Sequence, residues 1–365
     1  MPNISDYLDW RGDLSFAVSP FNEVDNLILS MLSFIDYSPA VPSDPLGTPV
    51  KLSDTLPAVR EKYPFGEDFG EIIPSDVNSI FEKAALSARF SDTYVAAYRN
   101  VIEESEVTQF AAVTFILPDD SVFIAFRGTD DTLVGWREDF HLSFSHPVRA
   151  QQLARDYLIE VAMVFSGKLR LGGHSKGGNL AVYASVFAPK PIRDRILVAY
   201  SNDGPGFLQE IIESPEFREM DSRICTIVPQ SSVVGMLLGH TEEYHVIEST
   251  IKNGILQHDP FSWEVLGPQF VHLGELSADG KRHNEALAEW LDAMSPEKRR
   301  EFTDTVFTIL GSTGAKTVTD LSSDRIGKTI AAIRTYNGLD KEAKENFINF
   351  LRKFTEANRH AMRNT

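Results

Sequence analysis

The sequence has little cysteine, few basic residues relative to acidic ones, and no long apolar run. A single cysteine, Cys225, stands among its 365 residues, which excludes an intramolecular disulfide framework. Because Cys225 lies in the apolar run 224–228, we expect a small buried hydrophobic side chain rather than a reactive thiol. A chain with one cysteine suits a reducing compartment.

Basic side chains are outnumbered. The chain has 35 Lys and Arg residues against 52 Asp and Glu residues, which gives a formal net charge of −17 at pH 7. General binding to nucleic acid needs clustered Lys and Arg for the phosphates, so we predict no nucleic-acid partner. A hydrophobic fraction of 42% and a charged fraction of 24% are typical of a soluble globular protein with a substantial core.

Targeting and membrane-spanning segments are also missing. No window approaches the run of about 20 apolar residues that a membrane-spanning helix needs. The first residues show no basic region followed by an apolar core, so we expect no signal peptide. Together with the single cysteine, these features predict a cytoplasmic protein with no integral membrane segment.

Predicted strands and helices alternate through the middle of the chain. The apolar patterns predict strands at 93–102, 109–117, 121–126, 169–171, 196–200, 223–228 and 244–249. They predict helices at 23–35, 76–87 and 147–165, after 175, at 207–212, and almost throughout the region beyond 284. Such alternation indicates βαβ units and therefore an α/β fold, with a mostly parallel sheet flanked by helices.

The same pattern divides the chain into three parts. Residues 1–75 are predicted to form a helical and irregular segment packed on the core, in which Asn22 caps a helix and 39–75 forms connections and short helices. Residues 76–295 form the predicted α/β core. Residues 296–365 form a predicted C-terminal helical appendage.

One pentapeptide, Gly173-His174-Ser175-Lys176-Gly177, lies between a short predicted strand and an apolar helix. In an α/β-hydrolase, Gly-x-Ser-x-Gly in this position is the nucleophile elbow, a strained turn that exposes a serine hydroxyl above the sheet. The alternative is an ordinary strand-to-helix turn with a serine cap. The context favours the elbow, and we predict Ser175 as a nucleophile.

Three later histidines compete for the role of general base, because the α/β-hydrolase chain order is serine, acid, histidine. His245 lies inside a predicted strand, and His240 could cap a short helix. His258 follows the last predicted strand in a loop, which is the position that the order requires. His174 is next to the serine, but its side chain should point away from the serine side chain. We therefore predict His258 as the base.

The acid of the triad is harder to assign. The usual loop, here 230–232, has no carboxylate. Asp203 ends the preceding predicted strand and is our prediction, although its carboxylate could instead bond its own backbone in an Asx turn. Asp259 is adjacent to His258, and the side chains of successive residues diverge. Ser231 or a backbone carbonyl could also orient the histidine in place of an acid.

Two backbone amides could bind the oxyanion of an acyl-transfer intermediate. The residue after the nucleophile supplies one amide, which assigns the backbone of Lys176. Arg127-Gly128-Thr129 ends an earlier strand, where Thr129 could supply a second amide and a hydroxyl. A plain β-turn is the alternative for this loop.

Four acidic residues, Asp130, Asp131, Glu138 and Asp139, follow the Thr129 loop. We interpret them as a solvated face, because no paired His or Cys accompanies them. We predict no metal and no cofactor.

Several of these motifs resemble known families in combination. Ala125–Thr129, Trp136–Asp139 and Gly173–Gly178 resemble the class 3 lipases, which have a Phe-Arg-Gly-Thr strand end, a following tryptophan and Gly-His-Ser-x-Gly-Gly at the elbow. The chain more closely resembles the bacterial Mbeg1-like family, which is lipase-related. The residues that carry this second resemblance are Lys83–Phe90, Phe126–Phe140, Gly173–Asn179, Asp203–Phe207 and Gln257–Phe261, within a match of about 20–295.

The resemblance implies an α/β-hydrolase fold with Ser175 as nucleophile, His258 as base, and the backbones of Thr129 and Lys176 at the oxyanion hole. The chain departs from the class 3 pattern in two ways. It lacks the acid expected near Ser231, and Lys176 replaces an apolar residue. The lysine should place a positive charge beside the nucleophile, where it would favour an anionic substrate or point into solvent.

The predicted function is hydrolysis of carboxylic or lipid esters through an acyl-enzyme on Ser175, with a small-molecule ester or lipid as substrate. A non-catalytic binding or scaffolding protein that uses the helical tail is the alternative, and it is motivated by the missing acid. Peptidase action on small substrates is a third hypothesis. The oligomeric state stays open at this point.

Overall fold

A nine-stranded sheet runs through the computed structural model, which describes residues 2–62, 76–252, 254–292, 294–317 and 325–339 together with positions 320, 341, 344, 345, 348 and 352. The sheet order is β1-β2-β3-β4-β5-β6-β7-β8-β11, and β9 pairs with β10 separately. The strands are β1 Val50–Lys51, β2 Tyr94–Glu103, β3 Thr108–Ile116, β4 Val122–Phe126, β5 Leu169–His174, β6 Ile196–Asn202, β7 Ile224–Pro229, β8 Tyr244–Ile247, β9 Val265–Leu266, β10 Gln269–Phe270 and β11 His272–Leu273.

Helices connect and cover the strands. They are α1 Ile4–Arg11, α2 Glu23–Leu32, α3 Leu52–Lys62, α4 Asp76–Leu86, α5 Leu133–His141, α6 Arg149–Val164, α7 Lys176–Phe187, α8 Lys190–Arg193, α9 Gln209–Ile212, α10 Pro215–Met220, α11 Ala278–Asp292, α12 Pro296–Gly311 and α13 Arg325–Gly338. Within the described ranges, no helix combines the length and apolar character needed to cross a lipid bilayer.

The direction of the strands divides the sheet. Strands β1 to β4 pair antiparallel, strands β4 to β8 are all parallel, and β11 adds antiparallel to β8. Parallel strands need crossover connections. Helices α5 to α10 lie in the connections between β4 and β7, and the connection from β7 to β8 contains a 3-10 helix, Val234–Met236. A five-stranded parallel region with helices on both faces and a sharp turn from β5 into α7 is an α/β-hydrolase fold. The predicted fold class is confirmed.

Side chains of β4 alternate between two hydrophobic cores, because successive residues of a strand point to opposite faces. Phe123 and Ala125 join the core built with α1, α2 and α4. Ile124 and Phe126 join the core built with α6 and α7. The sheet is therefore buried on both faces, which accounts for its continuous apolar runs.

Helix α2 belongs to the first of these cores. Every residue of α2 after Glu23 is buried. Asn22 caps its start as predicted: the Asn22 side chain accepts from the amides of Val24 and Asp25, and the Asp25 carboxylate accepts from the Asn22 amide. The helix ends at Leu32, three residues before the predicted end.

A buried ion pair fastens the N-terminal segment to the core. Arg89 donates to Asp25 through two nitrogens, and both side chains are fully buried. The same guanidinium donates to the carbonyls of Leu14, Ser19 and Pro20. Leaving one charge of such a pair unpaired costs about 3–5 kcal/mol. The predicted domain boundaries at 75 and 295 stay predictions.

Some local expectations need correction. Helix α5 lies in the acidic stretch that we interpreted as a solvated face, and α1 had not been predicted at all. Helix α4 begins at Asp76, whereas Ser75, the other predicted cap, lies outside the described residues. His258 ends a 3-10 helix, Gly254–His258, rather than lying in an open loop.

The region beyond residue 295, our predicted C-terminal appendage, contacts the rest of the chain at α5. Arg137 pairs with Asp304 of α12 at 2.7 Å, and the rings of Phe140 and Phe307 meet edge to face at 5.8 Å. Farther on, the Leu133 amide donates to the Lys316 carbonyl at 2.8 Å. Helix α5 is thus held from its outer side by the appendage.

Candidate active site

Ser175 occupies the sharp turn between β5 and α7. Its φ of 58° and ψ of −132° are unusual for a residue with a side chain, and such strain is found at functional turns. The flanking glycines allow the turn: a Cβ on Gly173 would lie 2.2 Å from the Gly177 carbonyl carbon, and one on Gly177 would lie 2.1 Å from the Phe126 oxygen. The geometry of the predicted elbow is present.

His258 and Asp203 meet at the carboxyl end of the parallel strands. Nδ1 of His258 lies 2.6 Å from Oδ2 of Asp203. Because a carboxylate only accepts, Nδ1 of the neutral ring carries the hydrogen and Nε2 is left as the acceptor. The Asp203 side chain is 1% exposed and the His258 ring is 26% exposed. The structure thus brings the predicted acid and base together.

The second oxygen of Asp203 is held from the next strand. Ser232 donates its hydroxyl to Oδ1 at 2.5 Å, and the Gly235 amide donates to the same oxygen at 3.2 Å. The Asp203 carboxylate therefore bonds three residues from two other segments of the chain, not the backbone of its own loop as an Asx turn would. The loop that lacks the usual acid instead provides a hydroxyl that orients Asp203. The sequence argument missed Ser232.

The other candidates for orienting the base have different partners. The Ser231 hydroxyl lies 2.6 Å from the Ser277 hydroxyl, and the Ser231 amide donates to the Gln257 side chain. Asp259 caps the 3-10 helix Pro260–Ser262 by accepting from the Phe261 amide. Among the described residues, neither side chain forms a hydrogen bond with the His258 ring.

His174 packs behind the base instead of acting on the serine. Its Nε2 lies 2.8 Å from the His258 carbonyl oxygen, and the two rings are 4.5 Å apart. Burial, followed by the neighbouring His258, holds the pKa of His174 well below its ordinary value. A neutral His174 donates through Nε2 and so fixes the backbone that carries His258.

The two remaining histidines lie in other surroundings. Nδ1 of His240 is 2.8 Å from Oε1 of Glu242, and His245 is exposed with its ring 5.8 Å from that of His272. Burial raises the pKa of Glu242, but hydrogen bonds from His240 and Thr226 outweigh it, and the pKa falls to about 2. His240 therefore forms a separate buried histidine–carboxylate pair.

The loop of Thr129 packs directly on the elbow. A Cβ on Gly128 would lie 2.5 Å from the His174 oxygen and 3.3 Å from Cβ of Ser175, so only glycine fits. The Thr129 hydroxyl donates to Asp139. Among the hydrogen bonds of the described residues, the amides of Thr129 and Lys176 donate to no acceptor. Within the described residues, both amides are therefore unpaired.

The side chain of Lys176 corrects our expectation. It is 1% exposed, and its Nζ donates to Oε1 of Gln109 at 2.6 Å and to Oε2 of Glu138 at 3.1 Å. The charge therefore neither points into solvent nor presents itself to an anionic substrate. Burial lowers the pKa of Lys176, but Glu138 and Asp139 raise it above its ordinary value.

The acidic stretch also differs from the solvated face that we expected. Glu138 is 1% exposed and pairs with Lys176, while Asp139 accepts from the Thr129 hydroxyl. Asp130 pairs with Arg127 at 3.0 Å. No group of three or more His, Cys, Asp or Glu side chains with the arrangement of a metal site occurs in the part of the chain that the structure describes.

Two asparagines that the sequence argument missed hold the site together. Asn179 on α7 donates to the carbonyls of Pro205 and Gly206, in the loop that follows Asp203. Asn202 donates to the Gly173 carbonyl at 3.0 Å. Both are fully or almost fully buried in otherwise apolar elements, which is the sequence signal that could have revealed them.

Apolar side chains precede His258 in the chain and pack at the Ser175 turn. Ile255 and Leu256 lie three and two residues before His258 and are 58% and 55% exposed. Cζ of Phe34 and Cβ of Ser175 both lie within 3.4 Å of the position that a Gly128 Cβ would occupy.

Three solved lipases have limited similarity to the chain. The Rhizomucor miehei lipase in its native propeptide complex is 14% identical, with a TM-score of 0.37 over 67% of this chain and 81% of that chain. M37 lipase is 11% identical, with a TM-score of 0.35 over 59% and 70%. The Lip2 lipase of Yarrowia lipolytica is 10% identical, with a TM-score of 0.32 over 51% and 72%. Among curated proteins, none matches at a significant level.

The match to a family model is more extensive. The Mbeg1-like model matches residues 84–308, which is more than half of the chain. The matched range includes the elbow, the Thr129 loop, Asp203 and His258. This agrees with the resemblance that the motifs indicate: the chain belongs to the Mbeg1-like family.

Proposed function

We propose that this protein is a serine hydrolase that cleaves carboxylic esters, including lipid or acyl esters, through an acyl-enzyme on Ser175. The observation that carries the proposal is the 2.6 Å contact between His258 and a buried Asp203, next to a serine in a strained elbow. A nucleophile, an oriented base and free amide donors are the three requirements of acyl transfer.

In the first step, Oγ of Ser175 attacks the ester carbonyl and Nε2 of His258 takes the serine proton. Asp203 holds the ring in the tautomer that leaves Nε2 free, and it stabilises the imidazolium that forms. The carbonyl oxygen becomes an oxyanion, which accepts from the amides of Thr129 and Lys176. The Thr129 hydroxyl donates to Asp139, so the amide is the donor that faces the substrate.

The tetrahedral intermediate then collapses to the acyl-enzyme. His258 returns its proton to the departing alcohol oxygen, and the ester C–O bond breaks. In the second half, His258 takes a proton from water, the hydroxide oxygen bonds the acyl carbon, and Ser175 leaves with the proton from the imidazolium. The products are a carboxylic acid and an alcohol.

The surroundings favour a neutral, apolar ester. The buried Lys176 charge is balanced by Glu138, so it provides no site for an anionic group. The exposed Ile255 and Leu256 offer hydrophobic contact for an acyl chain or an apolar alcohol beside His258.

Hydrolysis of p-nitrophenyl butyrate by the purified protein tests the proposal. We expect turnover that Ser175→Ala reduces by at least about 10⁴-fold. A fluorophosphonate probe should label the wild-type protein at Ser175, as mapped by mass spectrometry. Turnover that is unchanged in Ser175→Ala, or a wild-type protein that neither hydrolyses the ester nor reacts with the probe, would contradict it.

A further inference from the structure

A buried charged cluster lies behind the proposed oxyanion site and takes no part in the proton transfers. It is centred on the Lys176 ammonium, which donates to the carbonyl and side-chain oxygens of Gln109 at 3.1 and 2.6 Å and to Glu138 at 3.1 Å. Lys176 and Glu138 are each 1% exposed. The three hydrogens of the ammonium thus have three acceptors.

The cluster reaches the Thr129 loop by two routes. The Asp139 carboxylate accepts from the Thr129 hydroxyl with one oxygen, and its other oxygen lies 3.6 Å from the Lys176 nitrogen. The side-chain amide of Gln109 accepts from Lys176 through its oxygen, and its nitrogen donates to the Gly128 carbonyl at 3.4 Å. The lysine therefore contacts the partners of two successive residues of the loop.

Glu138 is itself fixed in place. Its Oε2 accepts from the backbone N–H of Gln109 at 3.1 Å, and its Oε1 accepts from the backbone N–H of Ala150 at 3.0 Å. Because β3, α5 and the start of α6 all meet at this carboxylate, the ammonium is held against three elements rather than one mobile side chain.

A buried ion pair is a poor means of gaining stability, since well-packed apolar residues of similar volume often do as well or better. The Lys176 pair therefore calls for another role. The backbone of Lys176 carries one of the two proposed oxyanion donors, and its side chain holds the partners of the loop that carries the other.

We propose that the Lys176 side chain is a positioning residue of the oxyanion site, which acts through Asp139 and Gln109 to fix the Thr129 amide relative to its own. This inference rests on the proposed function. Lys176 links the two proposed donors in two ways. Its backbone amide is one donor, and its ammonium group supports the loop that carries the other donor, the Thr129 amide. The side chain itself does not touch the substrate.

The test compares Lys176→Met, Asp139→Asn and the double variant in p-nitrophenyl butyrate hydrolysis. Loss of an oxyanion donor lowers kcat by about 10²–10³-fold, so we expect misplacement in Lys176→Met to lower kcat by about 10–100-fold with KM changed less than about threefold. Asp139→Asn keeps an acceptor for Thr129 but loses the charge, and we expect a loss of about 3–10-fold. The kcat of the double variant should be no lower than that of Lys176→Met, because both substitutions act on the same loop.

Arg89→Lys is the matched control, because it disturbs the buried Arg89–Asp25 pair away from the site. It should lower the melting temperature and leave kcat unchanged. A kcat for folded Lys176→Met within threefold of wild type, or equal losses of kcat in Lys176→Met and Arg89→Lys, would overturn the positioning role. If Lys176→Met does not fold, Asp139→Asn and Gln109→Leu provide the same comparison.

Hydrogen–deuterium exchange separates this inference from the proposed function. Amides of the peptide 128–132 should exchange faster in Lys176→Met and Asp139→Asn than in wild type, and at the wild-type rate in Arg89→Lys. Faster exchange in a protein without esterase activity would show that Lys176 orders the Thr129 loop and would contradict the hydrolase. Unchanged exchange in both variants would overturn the positioning role whatever the activity.

Discussion

Two histidine–carboxylate pairs, His258 with Asp203 and His240 with Glu242, invite comparison, and only the first belongs to the proposed active site. In each pair Nδ1 faces the acid, at 2.6 Å for His258 and Asp203 and at 2.8 Å for His240 and Glu242. In each pair a hydroxyl also bonds the acid, from Ser232 in the first and from Thr226 in the second. The polar chemistry of the two pairs is nearly the same.

Access to the second ring nitrogen distinguishes them. The His258 side chain is 26% exposed, whereas that of His240 is 8% exposed. Nε2 of His240 is buried without a hydrogen-bond partner in the described residues, and a Cβ on Gly206 would lie 2.8 Å from it. The greater exposure of the His258 ring is consistent with the proposed catalytic role, whereas the buried His240 ring fits a structural one.

The largest expected effect comes from changing the two histidines to glutamine, which keeps a donor for each carboxylate. His258→Gln removes the proposed base and should lower kcat for p-nitrophenyl butyrate by about 10⁴–10⁶-fold. His240→Gln should leave kcat within about threefold of wild type. Equal losses in the two variants, or turnover by His258→Gln near that of wild type, would remove the distinction.

A smaller loss of kcat is expected when Asp203, the acid of the His258 pair, is changed. Asp203→Asn keeps the shape of the side chain but favours the wrong tautomer of His258, so kcat should fall by about 10³–10⁴-fold. Steady-state kinetics and circular dichroism would show whether the loss occurs in folded protein. Normal turnover by Asp203→Asn would mean that the base is oriented by another group.

Changing Glu242, the acid of the His240 pair, should affect the stability of the folded protein rather than its turnover. The pKa of Glu242 is lowered to about 2, so its charged form stabilises the folded state above the ordinary pKa of 4.5, and this stability is lost as the pH falls toward 2. Glu242→Gln should lower the free energy of unfolding by about 2–3 kcal/mol at pH 7 and by much less near pH 3. Urea unfolding at the two pH values measures the difference, and an equal loss at both would contradict this assignment.

The secondary structure could be predicted from the sequence more completely than the side-chain contacts. The strands from β2 to β8 and the elbow were predicted close to their observed bounds, because period-two apolar patterns and Gly-rich turns are local signals. Helix α5 was missed, since its acidic residues were interpreted as solvated. Their burial depends on Lys176, which lies 38 residues from Glu138 in the chain.

In the candidate site too, contacts between residues far apart in the chain could not be predicted. Chain order alone favoured His258 and Asp203, and the structure places them in contact. The role of Ser232 could not be predicted, because its hydroxyl bonds a carboxylate 29 residues away. Lys176 was predicted in the correct position with an incorrect environment: its neighbours in sequence are glycine and serine, whereas its partners come from β3 and α5.

The sheet order has a consequence for how the site is assembled. Strands β4, β5, β6, β7 and β8 are adjacent in the sheet in the same order as in the chain. Thr129, Ser175, Asp203, Ser232 and His258 follow these strands one by one, so each newly synthesised strand adds the next functional group. A ribosome-bound chain would carry the proposed nucleophile long before the proposed base. Reactivity would therefore begin only when the last parallel strand has joined the sheet.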